Sequence, residues 1–161
     1  MKTLSLWQPH AQAIGLGIKK YETRGWKTDY RGPLAIHAAK KPFRYQDYPV
    51  DYYHEVRRRL KDAGFPIYAL DYGKVLCVVD LVDCVQTKNI RAKFSEEWDE
   101  ETILTHYGPG FWGDFRDKGD DGKDRYAFQL ENVRLIPALK RPAVTGRQGF
   151  FNVPDSIITF E

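Results

Sequence analysis

The chain has 161 residues, of which 42% are hydrophobic and 14% aromatic, and its net charge is +3. A length of this order is typical of one domain, so residues 1–161 are expected to form a single domain. Ten Tyr, nine Phe and four Trp exclude a disordered chain. No stretch approaches the roughly 18 uninterrupted apolar residues of a membrane-spanning helix, and no signal-peptide pattern follows Met1. We therefore expect a cytoplasmic protein with no membrane partner.

In its first half, the chain alternates short strand-like and helix-like segments. The elements predicted here are strands at 2–7, 20–24 and 34–38, a short helix that begins near Pro9 and ends at Gly15 or Gly17, a turn at 29–33, and a helix at 48–63. One face of the second helix carries Arg57, Arg58, Arg59 and Lys61, which indicate a solvated basic side.

The second half centres on the segment Val75 to Val85, which is apolar on both faces and is therefore predicted to be a central strand. The other elements predicted here are a helix that begins at Ser95 and runs to about 104, a polar loop at 117–124, a strand at 126–136, and residues 157–160, which close the chain. This pattern predicts an α+β fold, a small, mixed, partly closed β-barrel with helices at its rim. Cys77 and Cys84 fall in the central strand at opposite faces and are expected to be buried, unbridged residues.

Charge is distributed unevenly along the chain. Residues 1–61 hold 13 Lys or Arg and 5 Asp or Glu, whereas residues 62–130 hold 8 and 14. A basic third joined to an acidic third can present a positive surface to an anionic partner such as nucleic acid. Salt bridges between the two thirds are the alternative.

Several common motifs are absent or incomplete. The Gly15-Leu-Gly17 run lacks the third glycine of a dinucleotide-binding fingerprint, and the loop at 117–124 lacks the ligand pattern of a calcium loop. The four histidines show no zinc-ligand spacing, so no metal and no cofactor are predicted. Ser5 and Thr23 would be candidate nucleophiles only with a base nearby in space.

The segment from Gly17 to Trp26 concentrates charged and aromatic side chains. On a strand, Glu22 and Arg24 face the same side, and Lys19 could join them because the preceding glycine relaxes strict alternation. A carboxylate among cations stays ionised, which leaves positive charge for an anion and an acceptor for a base edge. Trp7 and Trp26 offer faces for base stacking. The alternative is an internal ion pair with two core tryptophans.

The spacing Gly17-x-Lys19-x-x-Glu22-x-Arg24 resembles the G-x-K-x-x-E-x-R signature of the ASCH domain family, a relative of the PUA RNA-binding domain. Further blocks resemble bacterial and phage members of that family in colinear order. They are the opening Leu-Ser-Leu-Trp-Gln-Pro and the segments at 31–40, 126–134 and 146–154. Residues 42–72 and 86–124 are interpreted as variable insertions.

This resemblance implies a PUA-like β-barrel with a cleft that contains Lys19, Glu22 and Arg24. Family members are linked to RNA or DNA binding. Some small members are hydrolases that remove an acyl group from acetylated cytidine, and one branch is described as a ribonuclease. The deacetylating members share the lysine, which is Lys19 here, but they have a threonine where Glu22 stands.

The leading hypothesis is a module that binds single-stranded RNA, single-stranded DNA or a modified nucleotide. Lys19 and Arg24 would hold phosphate, Glu22 would orient them or accept from a base, and Trp7 and Trp26 would line the slot. Further cations that could widen the positive surface are Arg31, Lys40, Lys41 and Arg147. The second hypothesis is a hydrolase of acetylated cytidine or RNA in which Lys19 and Glu22 are catalytic, and the third is a protein-interaction adaptor that docks an acidic partner through Arg57 to Arg59.

Overall fold

The computed structural model describes residues 1–94 and 109–161, so the helix predicted to begin at Ser95 lies outside the described residues. The strands in the described part are β1 (Lys2–Leu6), β2 (Tyr21–Arg24), β3 (Gly32–Ala38), β4 (Lys74–Gln86), β5 (Tyr126–Leu135) and β6 (Phe150–Asn152). The helices there are α1 (His10–Gly15), α2 (Val50–Asp62) and α3 (Thr87–Phe94), with short 3-10 turns between elements. No helix within these ranges is long and apolar enough to cross a membrane.

The elements predicted from periodicity are found close to their predicted positions. Strands β1 to β5 and helices α1 and α2 each match a predicted segment to within a few residues. Two elements were not predicted: α3, in a stretch interpreted as an insertion, and β6, which has three residues. Residues 157–160 form no strand, because a 3-10 turn occupies Asp155–Ile157 and extended coil follows it.

The first of two compact units contains Met1–Lys19, Pro33–Asp80 and Asn132–Glu161. In it, β1 pairs with β3 in parallel, with Ser5 opposite His37, and with β6 in antiparallel orientation. The buried cluster at its centre consists of Ala35, Val75, Val78 and Ile136. Helix α2 contributes Val56 and Leu60, both fully buried.

The second unit contains Lys20–Gly32 and Leu81–Glu131. Strand β2 pairs with β5 in antiparallel orientation, so Glu22 lies opposite Phe128. Its buried cluster consists of Ile90, Phe115 and Ala127, against which the partly buried Tyr21 packs. Helix α3 follows β4 directly and supplies Ile90, which explains why this stretch is ordered although it has no strong helical signal.

The strands are hydrogen-bonded in the order β2-β5-β4-β3-β1-β6. The sheet is mixed because the pairing of β1 with β3 is parallel while the pairings of β1 with β6 and of β2 with β5 are antiparallel. As predicted from its apolar faces, β4 has a neighbour on each side, and residues 75–79 within it are buried. The α+β class is therefore confirmed. Cys77 and Cys84 are both buried and unbridged on β4, as expected.

Candidate functional site

The turn after α1 fixes the backbone of the signature segment in the first unit. The backbone N–H groups of Ile18 and Lys19 both donate to the carbonyl oxygen of Ala13, each at 3.1 Å. Gly17 has φ of 75°, a left-handed conformation that favours glycine. The Lys19 side chain is buried, with the residue 3% exposed. The first half of the signature is thus a hydrogen-bonded turn that keeps the Lys19 side chain away from bulk solvent.

In the second unit, Glu22 and Arg24 form an ion pair on one face of β2. Arg24 Nε lies 2.9 Å from Glu22 Oε1, and the two side chains are 24% and 11% exposed. This is the side-by-side placement that strand alternation predicts for residues two apart. The pair combines a guanidinium with a carboxylate, which are the groups that bind phosphate and the amino groups of bases.

Trp26 follows this pair and is partly buried. Its ring makes an edge-to-face contact with Phe128, with centroids 5.1 Å apart and planes at 75°. Since Phe128 is fully buried in β5, the Trp26 ring is held by the second unit. Its predicted role in base stacking stays a prediction.

Trp7, at the end of β1 in the first unit, is an exposed tryptophan. It is 58% exposed, and Lys41 Nζ lies 3.6 Å from its ring centroid, a cation–π contact. Lys40 is also exposed, and its methylene carbons pack on Gly73. This unit therefore presents an exposed tryptophan with the Lys41 ammonium over one face of its ring, and a second exposed lysine, Lys40.

The two predicted arginines outside the signature differ in their surroundings. Arg31 is exposed but lies 3.4 Å from Asp83 Oδ1 and donates to the carbonyls of Thr28 and Tyr30 at 3.1 and 2.9 Å. Its charge is thus partly offset within the second unit. Arg147 is exposed in the loop before β6.

Ser5 and His37 form a hydrogen-bonded pair in the first unit. Ser5 Oγ lies 2.9 Å from His37 Nδ1, and His37 Nε2 lies 3.1 Å from the carbonyl oxygen of Val144. A carbonyl can only accept, so Nε2 carries the proton in the neutral ring and Nδ1 accepts from the Ser5 hydroxyl. His37 is therefore the base beside Ser5 that sequence reasoning alone did not identify.

The surroundings of His37 keep it neutral and enclosed. Burial lowers its pKa, the nearby Lys40 charge acts in the same direction, and the opposing contacts with the carbonyls of Val144 and Gly73 do not outweigh them. Gly146 packs so closely that a Cβ there would lie 2.8 Å from both Ser5 Oγ and His37 Cε1. The Ser5–His37 pair therefore packs against the loop that carries Arg147 and supports it.

Thr23, the other candidate nucleophile, has a different environment. Its hydroxyl oxygen accepts the backbone N–H of Asp114 at 2.9 Å and lies 3.5 Å from a guanidinium nitrogen of Arg125. These contacts assign Thr23 a structural role in anchoring the segment before β5.

Comparison with known proteins identifies the family. A model of the ASCH domain matches residues 4–133, and the chain belongs to the ASCH domain family. The chain is also 38% identical over 112 residues to activating signal cointegrator 1 of Homo sapiens and 35% identical to the Mus musculus protein of that name. Each match covers 66% of this chain and 19% of the relative, so the chain spans about a fifth of the length of these relatives.

Solved structures share the fold. A crystal structure of ASCH from Zymomonas mobilis covers 97% of this chain and 89% of its own, with a TM-score of 0.50 and 16% identity. A point mutant of the same protein gives a TM-score of 0.50 and 16% identity, with 97% and 91% covered. At this identity the likeness concerns the fold alone, and it confirms the PUA-like α+β class expected from the sequence.

Proposed function

We propose that this ASCH domain is a nucleic-acid-binding module for single-stranded RNA, single-stranded DNA or a modified nucleotide. The observation that carries the proposal is the Glu22–Arg24 pair, which is mostly buried and has 2.9 Å between Nε and Oε1. The Glu22 carboxylate 2.9 Å from Nε attracts the guanidinium, and a guanidinium held beside a fixed charge suits planar recognition of phosphate. Glu22 in turn supplies an acceptor for a base amino group.

Exposed groups of the first unit support the same function. Trp7 presents an aromatic surface beside Lys41, and stacking of a base on such a ring contributes about 1–3 kcal/mol. Lys40 and Arg147 add exposed positive charge. Arg31 is a weaker contributor because Asp83 lies 3.4 Å from it. The proposal also assigns ligand contacts to Lys19 in the first unit and to Trp26 in the second.

Salt-dependent binding tests the proposal. Each phosphate contact to a single strand contributes a slope of about −0.7 in a plot of log affinity against log salt. Lys19→Ala and Arg24→Ala are expected to weaken binding of short RNA and single-stranded DNA and to make the slope shallower. Arg44→Ala is the matched control, because Arg44 is an exposed arginine paired with Asp47 at 2.9 Å. Absent binding at low salt, or slopes equal to that of the control, would contradict the proposal.

A hydrolase acting on a modified nucleoside or on RNA is the second candidate. The burial of Lys19, 3% exposed, favours it, because a lysine withdrawn from solvent is suited to proton transfer. Lys19 and Glu22 would then be catalytic. Release of acetate from acetylated cytidine that disappears in Lys19→Ala would establish this activity, and no turnover at high enzyme concentration would remove it.

A further inference from the structure

A groove of about 480 Å³ lies in the first unit, between α2 and the 3-10 turn that follows it. It belongs to the 42–72 stretch and contains none of the signature residues. The residues that line it are Tyr53, Arg57, Lys61, Gly64, Phe65, Pro66, Ile67 and Tyr68. Its size falls in the range of small-molecule sites, which is about 300–1,000 Å³.

Helix α2 separates its cations into two pairs. Arg58 lies 2.6 Å from Glu55 and 2.8 Å from Asp62, and Arg59 lies 2.8 Å from Glu55, so acidic groups offset these two arginines. Arg57 and Lys61 are both exposed and form no ion pair within residues 1–94 and 109–161.

The two unpaired cations are also the two that line the groove. They are four residues apart, so they lie on the same side of the helix, one turn from each other. The groove thus has two adjacent positive charges that no carboxylate of the described chain offsets.

The rest of the groove is largely aromatic. Tyr68 is 89% exposed, and Phe65 is partly buried beside it. Tyr53 is held in place, because its ring stacks on Phe43 at 5.3 Å and 12° and meets Tyr45 edge-on at 5.2 Å. A rigid ring, two accessible rings and two cations therefore surround one opening.

We propose that this groove binds a nucleotide, with its base against the rings of Phe65 and Tyr68 and its phosphate at Arg57 and Lys61. Flat aromatic surface suits a base and paired cations suit a phosphate, whereas an apolar ligand would leave both charges without a partner. The ligand chemistry is the same for a free nucleotide and for one nucleotide of a strand. The site goes beyond the function proposed above, because it uses none of the residues assigned there.

Binding measurements on the full chain test this site. The probes are UMP and AMP as free nucleotides and a six-residue single-stranded oligonucleotide. Arg57→Ala/Lys61→Ala is expected to weaken binding at least ten-fold and to reduce the salt slope for the oligonucleotide by about 0.7, because the one phosphate that both cations hold is lost. Tyr68→Ala is expected to weaken binding roughly five-fold or more.

The matched control is Arg58→Ala, which removes the same charge from the same helix. Because Glu55 and Asp62 already offset Arg58, this variant is expected to bind within about two-fold of the unmodified chain. The three groove residues are exposed or near the surface, so circular dichroism is expected to show an unchanged fold in every variant.

The outcomes distinguish a free nucleotide from a nucleotide within a strand, and they distinguish this site from the signature site. If Arg57→Ala/Lys61→Ala loses affinity for the mononucleotides and Arg58→Ala does not, the ligand is a free nucleotide. If the affinity is lost for the oligonucleotide alone, the ligand is a single strand. Equal behaviour of Arg57→Ala/Lys61→Ala and Arg58→Ala with both probes overturns the site, as does binding of poly-glutamate in place of nucleotides. Lys19→Ala/Arg24→Ala is expected to keep mononucleotide binding at the groove, so failure of the signature site leaves this inference intact.

Discussion

The hydroxyl oxygen of Ser5 and Nδ1 of His37 lie 2.9 Å apart on neighbouring parallel strands, where the two residues are direct register partners. His37 uses its other ring nitrogen on the carbonyl of Val144 at 3.1 Å. One imidazole therefore connects β1, β3 and the segment that precedes β6. In the neutral ring Nδ1 accepts from the Ser5 hydroxyl, whereas in the charged ring Nδ1 would donate and the Ser5 oxygen would accept.

Stability is expected to fall as the pH drops below about 6.5. Burial lowers the pKa of His37 in the folded chain, whereas the unfolded chain keeps a value near 6.5. Below that pH the unfolded state binds more protons than the folded state, so the free energy of unfolding decreases. Urea denaturation between pH 8 and 5 measures this. His37→Ala is expected to have a lower free energy of unfolding that depends less on pH. His54→Ala, at an exposed histidine, is the control and is expected to keep the pH dependence of the unmodified chain. A free energy of unfolding that does not change with pH in the unmodified chain would refute the assignment.

Gly146→Ala is expected to destabilise the fold by about 1–3 kcal/mol, because it forces atoms into a filled space. The added Cβ would lie 2.8 Å from Ser5 Oγ and His37 Cε1. Gly25→Ala is the control, because its nearest neighbour, Asp121 Oδ2, is 4.0 Å from the added carbon. Thermal and urea denaturation report both values. Equal stability of the two variants would show that the loop moves aside at no cost.

The thiol of Cys77 is expected to resist alkylation in the folded protein. Burial raises its pKa to about 12 and raises the pKa of Cys84 as well, so little thiolate forms at neutral pH. Mass spectrometry after iodoacetamide treatment should find Cys77 unmodified in buffer and both cysteines modified in urea. Rapid labelling of Cys77 under native conditions would mean that β4 opens readily.

Glu55→Gln is expected to lower stability at pH 7 by about 0.5–1 kcal/mol, since Glu55 pairs with Arg58 and Arg59 on α2. The arginines lower the pKa of Glu55 to about 2. This contribution is present above the unfolded value of 4.5 and is lost as the pH falls toward 2. The difference between the two proteins should therefore shrink between pH 5 and pH 3. A constant difference over that range would exclude the ion pairs as its cause.

Local patterns predicted much of the fold because they are properties of short segments. The apolar run from Val75 to Val85 indicates a central strand with both faces covered. β4 is central in the sheet and buried on both faces over residues 75–79, whereas Val82 is 39% exposed. Alternation placed Glu22 and Arg24 on one face, and they form an ion pair there. Strand β6 escaped prediction because three residues show no periodicity, and its position depends on pairing with β1.

Contacts between distant segments could not be predicted in the same way. Ser5 and His37 are 32 residues apart, and their pairing depends on the register between β1 and β3, which no single segment encodes. The sequence spacing does, however, predict which cations of α2 pair with Glu55 and which do not. Glu55 is three and four residues from Arg58 and Arg59, spacings that place them on one helix side, whereas Arg57 is two residues away and points elsewhere.

Both compact units are assembled from separated stretches of chain, three for the first and two for the second. The backbone passes from one unit to the other between Lys19 and Lys20, inside the signature, between Gly32 and Pro33 at the start of β3, and again within β4 and within β5. A single protease cleavage therefore cannot release either unit as one continuous peptide. A truncated chain that contains all of one unit also contains part of the other. Deletion analysis is accordingly a poor way to dissect this domain, and point substitutions are the informative tool.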